Sequence, residues 1–299
     1  MAGVEAACLS GIGHLTSFIG TDTIPAIETI EKYYQPTDPE FLIGASVPAT
    51  EHSVMCAGGK ESEIDTYIRL LDLYPAGIVS IVSDTWDYWK VLTETLPKLH
   101  EKIMQRDGKL VVRPDSGDPV KVLVGDPDAP IGSPEYKGTI EVLWDEFGGT
   151  ITETGYKLLD SHLGVIYGDS ITEARATQIL AGLEAKGFAS GAVVFGMGSY
   201  LYQYTTRDTY GFAMKATSIV IDGVQTAIFK DPVTDSGFKK SAVGRLAVEV
   251  NERGRLALID NATPEQEAQS LLATVWKDGT FINYQGFDEI RARVLTAIA

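Results

Sequence analysis

A chain of 299 residues, 44% of them hydrophobic at a mean hydropathy of +0.01, can bury a sizeable core as one large domain or two smaller ones. Its net charge of −16 makes nucleic acid a poor partner, since a phosphate backbone demands a basic footprint, and no apolar stretch approaches the roughly 18 residues of a membrane span. Cys8 and Cys56 are too few for a disulfide framework or a thiolate metal site, and with no Lys or Arg before Lys32 no secretory or mitochondrial leader is expected, so a reducing cytoplasm is the expected location.

In chain order, Gly20, Thr21, Asp22 and Thr23 precede a helix-like run with Pro25 near its first turn. Asp22 or Thr23 reads as a helix cap or as a functional group. An extended stretch from Ser46 to Ser53 then carries Glu51 and His52 side by side. His52 is one of four histidines in the chain, and it reads as exposed or structural, or as facing a cleft.

The run Gly77 to Val82 is apolar apart from Ser80 and ends in Ser83 and Asp84. Leu110 to Val112 leads into Arg113, Pro114, Asp115, Ser116 and Gly117, where a cation, a carboxylate, a hydroxyl and free amides converge. Pro114 pushes Arg113 toward an extended conformation, so the strand stops instead of running into helix. A capped, salt-bridged strand end is the alternative reading of this segment.

Residues 125 to 134 read as a surface loop. Gly164 to Tyr167 then ends in Gly168, Asp169 and Ser170, and Thr172 to Lys186 has apolar residues at helical spacing before Gly187. Ala192 to Phe195 ends in Gly196, Met197 and Gly198. Strand, polar turn and helix recurring in this way predict parallel βαβ units. In a barrel of such units the functional groups gather at the carboxyl ends of the strands. Four apolar strands ending in Asp or Gly therefore predict one shared site.

Arg207, Lys215, Lys230, Lys239, Lys240 and Arg245 form a cationic region of sequence; each can equally be a solvated surface charge. Beyond about residue 209 short β-rich runs alternate with tight turns. Asp222-Gly223 and Asp278-Gly279 are hairpin signals, a third pair of strands flanks Asn251 to Gly254, and a helix closes the chain over roughly 287 to 298. The predicted organisation is an α/β catalytic region over 1–209 and a β-rich region with a closing helix over 210–299.

These residues carry a family resemblance. Gly20 to Thr23, Ser46 to Ser53, Val82 to Asp84, Arg113 to Gly117, Gly168-Asp169, Phe195 to Gly198, Thr206 to Asp208 and Phe229 to Pro232 resemble, in order and approximate spacing, the motifs of the nicotinamide phosphoribosyltransferase family. The resemblance covers essentially the whole chain. It implies a type II phosphoribosyltransferase: an irregular α/β barrel, acting as a dimer with active sites at the subunit interface, that joins nicotinamide to 5-phosphoribosyl 1-pyrophosphate (PRPP) with Mg²⁺ to give nicotinamide mononucleotide and pyrophosphate in NAD biosynthesis.

Carried over by resemblance, Asp22 accepts from the nicotinamide carboxamide and Arg113 donates to the substrate carbonyl or phosphate. Asp84 and Asp115 manage the ribose and the metal-diphosphate, with His52, Asp84, Arg113 and Asp115 as the catalytic group. Ser46 and Ser80 line the substrate site, Gly168 and Asp169 meet the ribose, and Gly198 and Ser199 offer amides to the 5′-phosphate. Arg207, Lys215 and Lys230 match phosphate-gripping cations, and His52 matches a histidine phosphorylated by ATP. A carboxylate at position 22 suits an amide and repels a nicotinate carboxylate.

Two departures stand out. After Gly198 the family's turn is richer in glycine, whereas Ser199 and Tyr200 follow here. Family members also carry an N-terminal half that supplies an aromatic side chain and an arginine to the base pocket. A split enzyme completed by a separate chain, a fragment of a longer gene and a degenerate relative would each account for this; the intact polar strand ends favour the first two. The expectation is that catalysis needs that N-terminal half. The alternatives are a nicotinate phosphoribosyltransferase and a non-catalytic phosphoribosyl-binding remnant.

Overall fold

The computed structural model describes residues 3–198, 200, 204, 209–210, 214–229 and 241–298. The chain divides into two compact units: Met1–Ile30 with Leu42–Thr205, and Glu31–Phe41 with Thr206–Ala299. Helices α1 (Val4–Leu15), α2 (Ile24–Tyr33), α3 (His52–Gly58) and α4 (Glu63–Leu73) precede strand β1 (Ala76–Val82). Strand β2 (Asp107–Arg113), helices α5 (Pro119–Val124) and α6 (Thr139–Phe147), the short pair β3 (Gly149–Ile151) and β4 (Lys157–Leu159), strand β5 (Leu163–Tyr167), helix α7 (Glu173–Ala185) and strand β6 (Val194–Phe195) follow.

A four-stranded sheet of order β1-β2-β5-β6 is parallel throughout. Burial alternates along β2 and β5, so one face of the sheet carries the core. Val79, Ile81, Leu110, Val112, Val165 and Tyr167 pack with Leu70 and Leu71 of α4, Ile140 and Leu143 of α6, and Ile179 and Leu183 of α7 in one core. Each buried aliphatic side chain is worth about 1.5–3 kcal/mol of transfer free energy.

The registers Val82↔Arg113, Val112↔Val165 and Tyr167↔Phe195 bring the carboxyl ends of these strands to one edge. Isolated parallel bridges extend the series: Ala49 pairs with Ser80, and Gly20 with Ala45. Ser80 N–H donates to the Pro48 carbonyl at 2.9 Å and Thr50 N–H to the Ser80 carbonyl at 3.0 Å, so residues 45–50 run alongside β1. The turn after Gly20 is thereby tied to the start of the 45–50 segment, whose end pairs with β1.

Helix α7 starts where the sequence places it, with the Thr172 hydroxyl accepting from Arg175 N–H. The β3–β4 hairpin has no counterpart in the sequence reading. Its strands are three residues each and open on Gly148 and Gly149, which is too short for a period-2 pattern to register.

The second unit holds antiparallel pairs β7 (Ser218–Ile221) with β8 (Val224–Ala227), β9 (Ala247–Val250) with β10 (Leu256–Ile259), and β11 (Trp276–Lys277) with β12 (Thr280–Phe281). Asp222-Gly223 and Asp278-Gly279 turn two of the hairpins with positive φ at both central residues, the twist-matched geometry that Asp-Gly favours. Helix α8 (Phe287–Ile298) closes the chain. Its Asp288 carboxylate accepts from Thr37 N–H at 3.1 Å, Asp38 N–H at 3.2 Å and the Thr37 hydroxyl at 2.5 Å. The Arg291 guanidinium lies 4.7 Å from the Phe41 ring centroid.

Candidate active site

The site assembles on the carboxyl edge of the parallel sheet. At the end of β1 the chain turns through Ser83, which is buried and receives the Tyr67 hydroxyl at 2.9 Å. This delivers Asp84, whose side chain is 4% exposed. One of its oxygens, Oδ2, accepts Asp115 N–H at 2.9 Å and the Ser116 hydroxyl at 2.5 Å. The other, Oδ1, is buried and accepts no hydrogen bond among the described residues. A buried carboxylate oxygen without a donor is costly, so Oδ1 is suited to a cationic or donor group brought by a ligand.

At the end of β2, Arg113 crosses toward the 45–50 segment. Its Nη2 donates to the Thr50 carbonyl at 2.7 Å and lies 3.5 Å from Glu51 Oε2. Its buried Nε has no acceptor among the described residues. His52 is the first residue of α3; its Nδ1 is 3.0 Å from Thr85 Oγ1 and its Nε2 lies 3.8 Å from both Asp84 Oδ1 and Asp115 Oδ2. His52, Asp84, Arg113 and Asp115 thus occupy one neighbourhood, although they lie on three separate stretches of sequence. Ser80 is 5% exposed and its hydroxyl is likewise without a partner among the described residues.

The ends of β5 and β6 meet closely. Gly196 N–H donates to the Tyr167 carbonyl at 2.9 Å, and a Cβ on Gly196 would come within 2.8 Å of Gly168 Cα. Gly168 and Asp169 thus sit beside the turn that carries Gly198, where an added Cβ would meet nothing within 4 Å among the described residues. Tyr167 ties this pair to the β2 turn, its hydroxyl donating to the Gly117 carbonyl at 3.0 Å. Burial pushes the Tyr167 hydroxyl well above its ordinary range, reinforced by Asp169, Asp84, Asp115 and Asp118. The edge is therefore electronegative, suited to a developing cation and hostile to a bare polyanion.

Asp22 and Ser46 are brought together by the Thr21 N–H to Ala45 carbonyl bond of 2.9 Å, and the Ser46 hydroxyl donates to Asp22 Oδ1 at 2.5 Å. Both are exposed. Lys215 is exposed in the second unit. Ser199, Arg207 and Lys230 lie outside the described residues. Ser116 supports the site as its place in the Arg113–Gly117 motif suggests, whereas Thr85 and Tyr167 support it without having been singled out in sequence. Tyr167 adjoins a strand-end motif, but nothing local marks Thr85 as the partner of a histidine 33 residues earlier.

Among the described residues no cluster of three or more His, Cys, Asp or Glu side chains could hold a metal. Mg²⁺ nonetheless fits this edge, because it characteristically takes one or two carboxylates plus substrate phosphate oxygens, and Asp84 Oδ1 and Asp115 are such a pair.

Over residues 2–280 the chain matches the model of the Nicotinate phosphoribosyltransferase (NAPRTase) family. It is 54% identical over 301 residues to the nicotinamide phosphoribosyltransferase of Acinetobacter baylyi, covering 98% of this chain and 59% of that protein. With the nicotinamide phosphoribosyltransferase of Xanthomonas campestris pv. campestris it shares 35% identity over 300 residues, 98% of this chain and 60% of that one. With that of Mycoplasma pneumoniae it shares 38% over 248 residues, 82% and 51%. The chain spans between half and six tenths of the length of these relatives. Matched from residue 2 to residue 280, across the sheet and its polar edge, this chain belongs to the nicotinate phosphoribosyltransferase family.

Proposed function

We propose that this chain carries the phosphoribosyl-handling part of an enzyme that transfers the phosphoribosyl group of PRPP to nicotinamide, giving nicotinamide mononucleotide and pyrophosphate. The observation that carries the reading is Asp84: nearly buried, held through Oδ2 by Asp115 N–H and Ser116, with Oδ1 beside His52 and Asp115 and without a hydrogen-bond donor among the described residues. Displacement of pyrophosphate from the anomeric carbon builds positive charge on the ribose, and a fixed, desolvated carboxylate stabilises that charge without reorganising. Mg²⁺, when bound, would be held by Asp84 and Asp115 and would supply charge neutralisation of the leaving group.

The remaining residues position and select. Asp169 and Gly168 hold the ribose hydroxyls, the amides after Gly196 with Ser199 take the 5′-phosphate, and Arg113, Ser80, Arg207, Lys215 and Lys230 serve the substrate's polar and phosphate groups. Asp22, with Oδ1 engaged by Ser46, keeps Oδ2 to accept from the carboxamide, which favours the amide over the acid. His52 is the phosphorylation site: in the tautomer that gives Nδ1–H to Thr85, Nε2 keeps its lone pair, attacks the γ-phosphorus of ATP and releases ADP.

In this reading the parallel series from Gly20 to β6 is part of an irregular barrel, the protein is cytoplasmic and the active form is a dimer. The relatives' names support nicotinamide as the acceptor. Nicotinate is the second reading, because the matching family model is named for it.

The test is nucleotide formation from nicotinamide, PRPP, ATP and Mg²⁺, with this chain alone and with the N-terminal half of the Acinetobacter baylyi relative added. Product is expected only with the added half, and chelation of Mg²⁺ should abolish it. Robust turnover by the chain alone would refute the need for the part of the relatives that this chain does not span. Donor binding without product in every combination would make the chain a binding remnant, and preference for nicotinate in direct competition would assign the acid.

A further inference from the structure

Two turns lie side by side at the ends of β5 and β6, and a single side chain joins their outer rims. Arg175, in the first turn of α7, donates through Nη1 to the Ser170 carbonyl at 2.5 Å. Its guanidinium also lies 5.9 Å from the centroid of the Tyr200 ring, within range of a cation–π contact. Ser170 has φ 50°, a left-handed conformation that non-glycine residues rarely adopt. Its hydroxyl donates to Asp169 Oδ2 at 3.0 Å. Tyr200 stacks on Tyr204 with ring centroids 4.7 Å apart and planes at 10°.

We infer that Arg175 is a positioning residue, which ties the Gly168–Ser170 turn to Tyr200, beyond the Gly196–Gly198 turn, so that Asp169 and the amides after Gly196 face one ligand. The Gly168–Gly196 approach fixes the two turns at their base, but a glycine pair leaves their outer ends free to splay. The left-handed Ser170 is held by the charge-assisted bond to its carbonyl, and the same guanidinium seats Tyr200. Tyr200, which replaces a glycine-type continuation of the turn, is in this view a fastening and does not obstruct the phosphate. Without it Arg175 would grip one turn only.

The role for the donor rests on the functional reading above; the coupling of the turns does not. Hydrogen exchange on the full chain separates the two. Arg175→Met is expected to speed amide exchange in both 168–171 and 196–200 by about tenfold, as loss of a charge-assisted bond and a cation–π contact should, with far-ultraviolet circular dichroism unchanged. Tyr200→Leu is expected to speed exchange at 168–171, a turn it reaches only through Arg175 in this scheme, whereas Tyr200→Phe keeps the ring and the native rate. Exchange that rises in one turn alone, or a Tyr200→Leu chain with native exchange at 168–171, overturns the coupling. Calorimetric titration with PRPP and Mg²⁺ then reads the role. If the native chain binds and Arg175→Met binds about tenfold more weakly, the positioning role holds. Equal binding by both chains overturns it. A native chain that binds no donor removes the functional reading and with it the role, while the exchange result still decides the coupling.

Discussion

Asp84 differs from an ordinary surface aspartate in having two oxygens with different tasks. Oδ2 is committed to Asp115 N–H and Ser116, while Oδ1 is buried and free of donors among the described residues. Asp84→Asn keeps the shape and an acceptor but removes the charge. Turnover of the completed enzyme should fall about a hundredfold or more, the scale of losing one preorganised electrostatic group, with little change in melting temperature. Loss of folding instead would mean that Asp84 is structural. Asp22 is exposed and accepts from the Ser46 hydroxyl; in the proposed role it governs the choice between acceptors. Asp22→Asn should narrow the preference for nicotinamide over nicotinate by about tenfold, the scale of one charge repulsion at a half-solvated site. The ratio of kcat/KM for nicotinamide and nicotinate reads it directly.

At the scale of elements, the site depends on how closely β5 and β6 approach. The Gly196 position allows no side chain, because a Cβ would meet Gly168 backbone at 2.8 Å. Gly196→Ala must therefore push the two strand ends apart, at about 1–3 kcal/mol, readable as a lower denaturation midpoint. Tyr167→Phe should cost about 1 kcal/mol by stranding the Gly117 carbonyl, and should weaken donor binding more than it lowers stability if the β2 turn needs this tie. Both strand ends were legible beforehand, since Gly168-Asp169 and Gly196 to Gly198 interrupt apolar runs. That the glycines face each other was not, because residues 28 apart acquire a contact only through parallel pairing.

At the scale of the molecule, the second unit joins residues 31–41 to a segment 165 residues further along. Asp288 fastens them. The Thr37 hydroxyl and the Thr37 and Asp38 amides hold its carboxyl down to about 2, below the roughly 3.9 of an unfolded aspartate. A depressed folded value means stability that is complete above the unfolded value and is lost as pH falls through the folded one. The unit should therefore loosen between about pH 4 and pH 2. Asp288→Asn should melt lower at pH 7 and lose that part of the acid dependence. An acid profile equal to that of the native chain would show that the clamp carries nothing.

Local chemistry in the chain was sufficient to locate the polar strand ends, the Asp-Gly hairpins and the capped helix after Thr172, because proline, glycine and capping residues act within a few bonds of themselves. The short β3–β4 pair escaped notice, since three residues carry no periodicity. Tertiary structure alone decided that His52 stands between Asp84 and Asp115, that Arg113 reaches back to Thr50, and that Glu31–Phe41 packs with the C-terminal unit. Each of those depends on parallel register or on a hydrogen bond between residues tens to hundreds of positions apart, and no spacing rule along the chain encodes such a meeting.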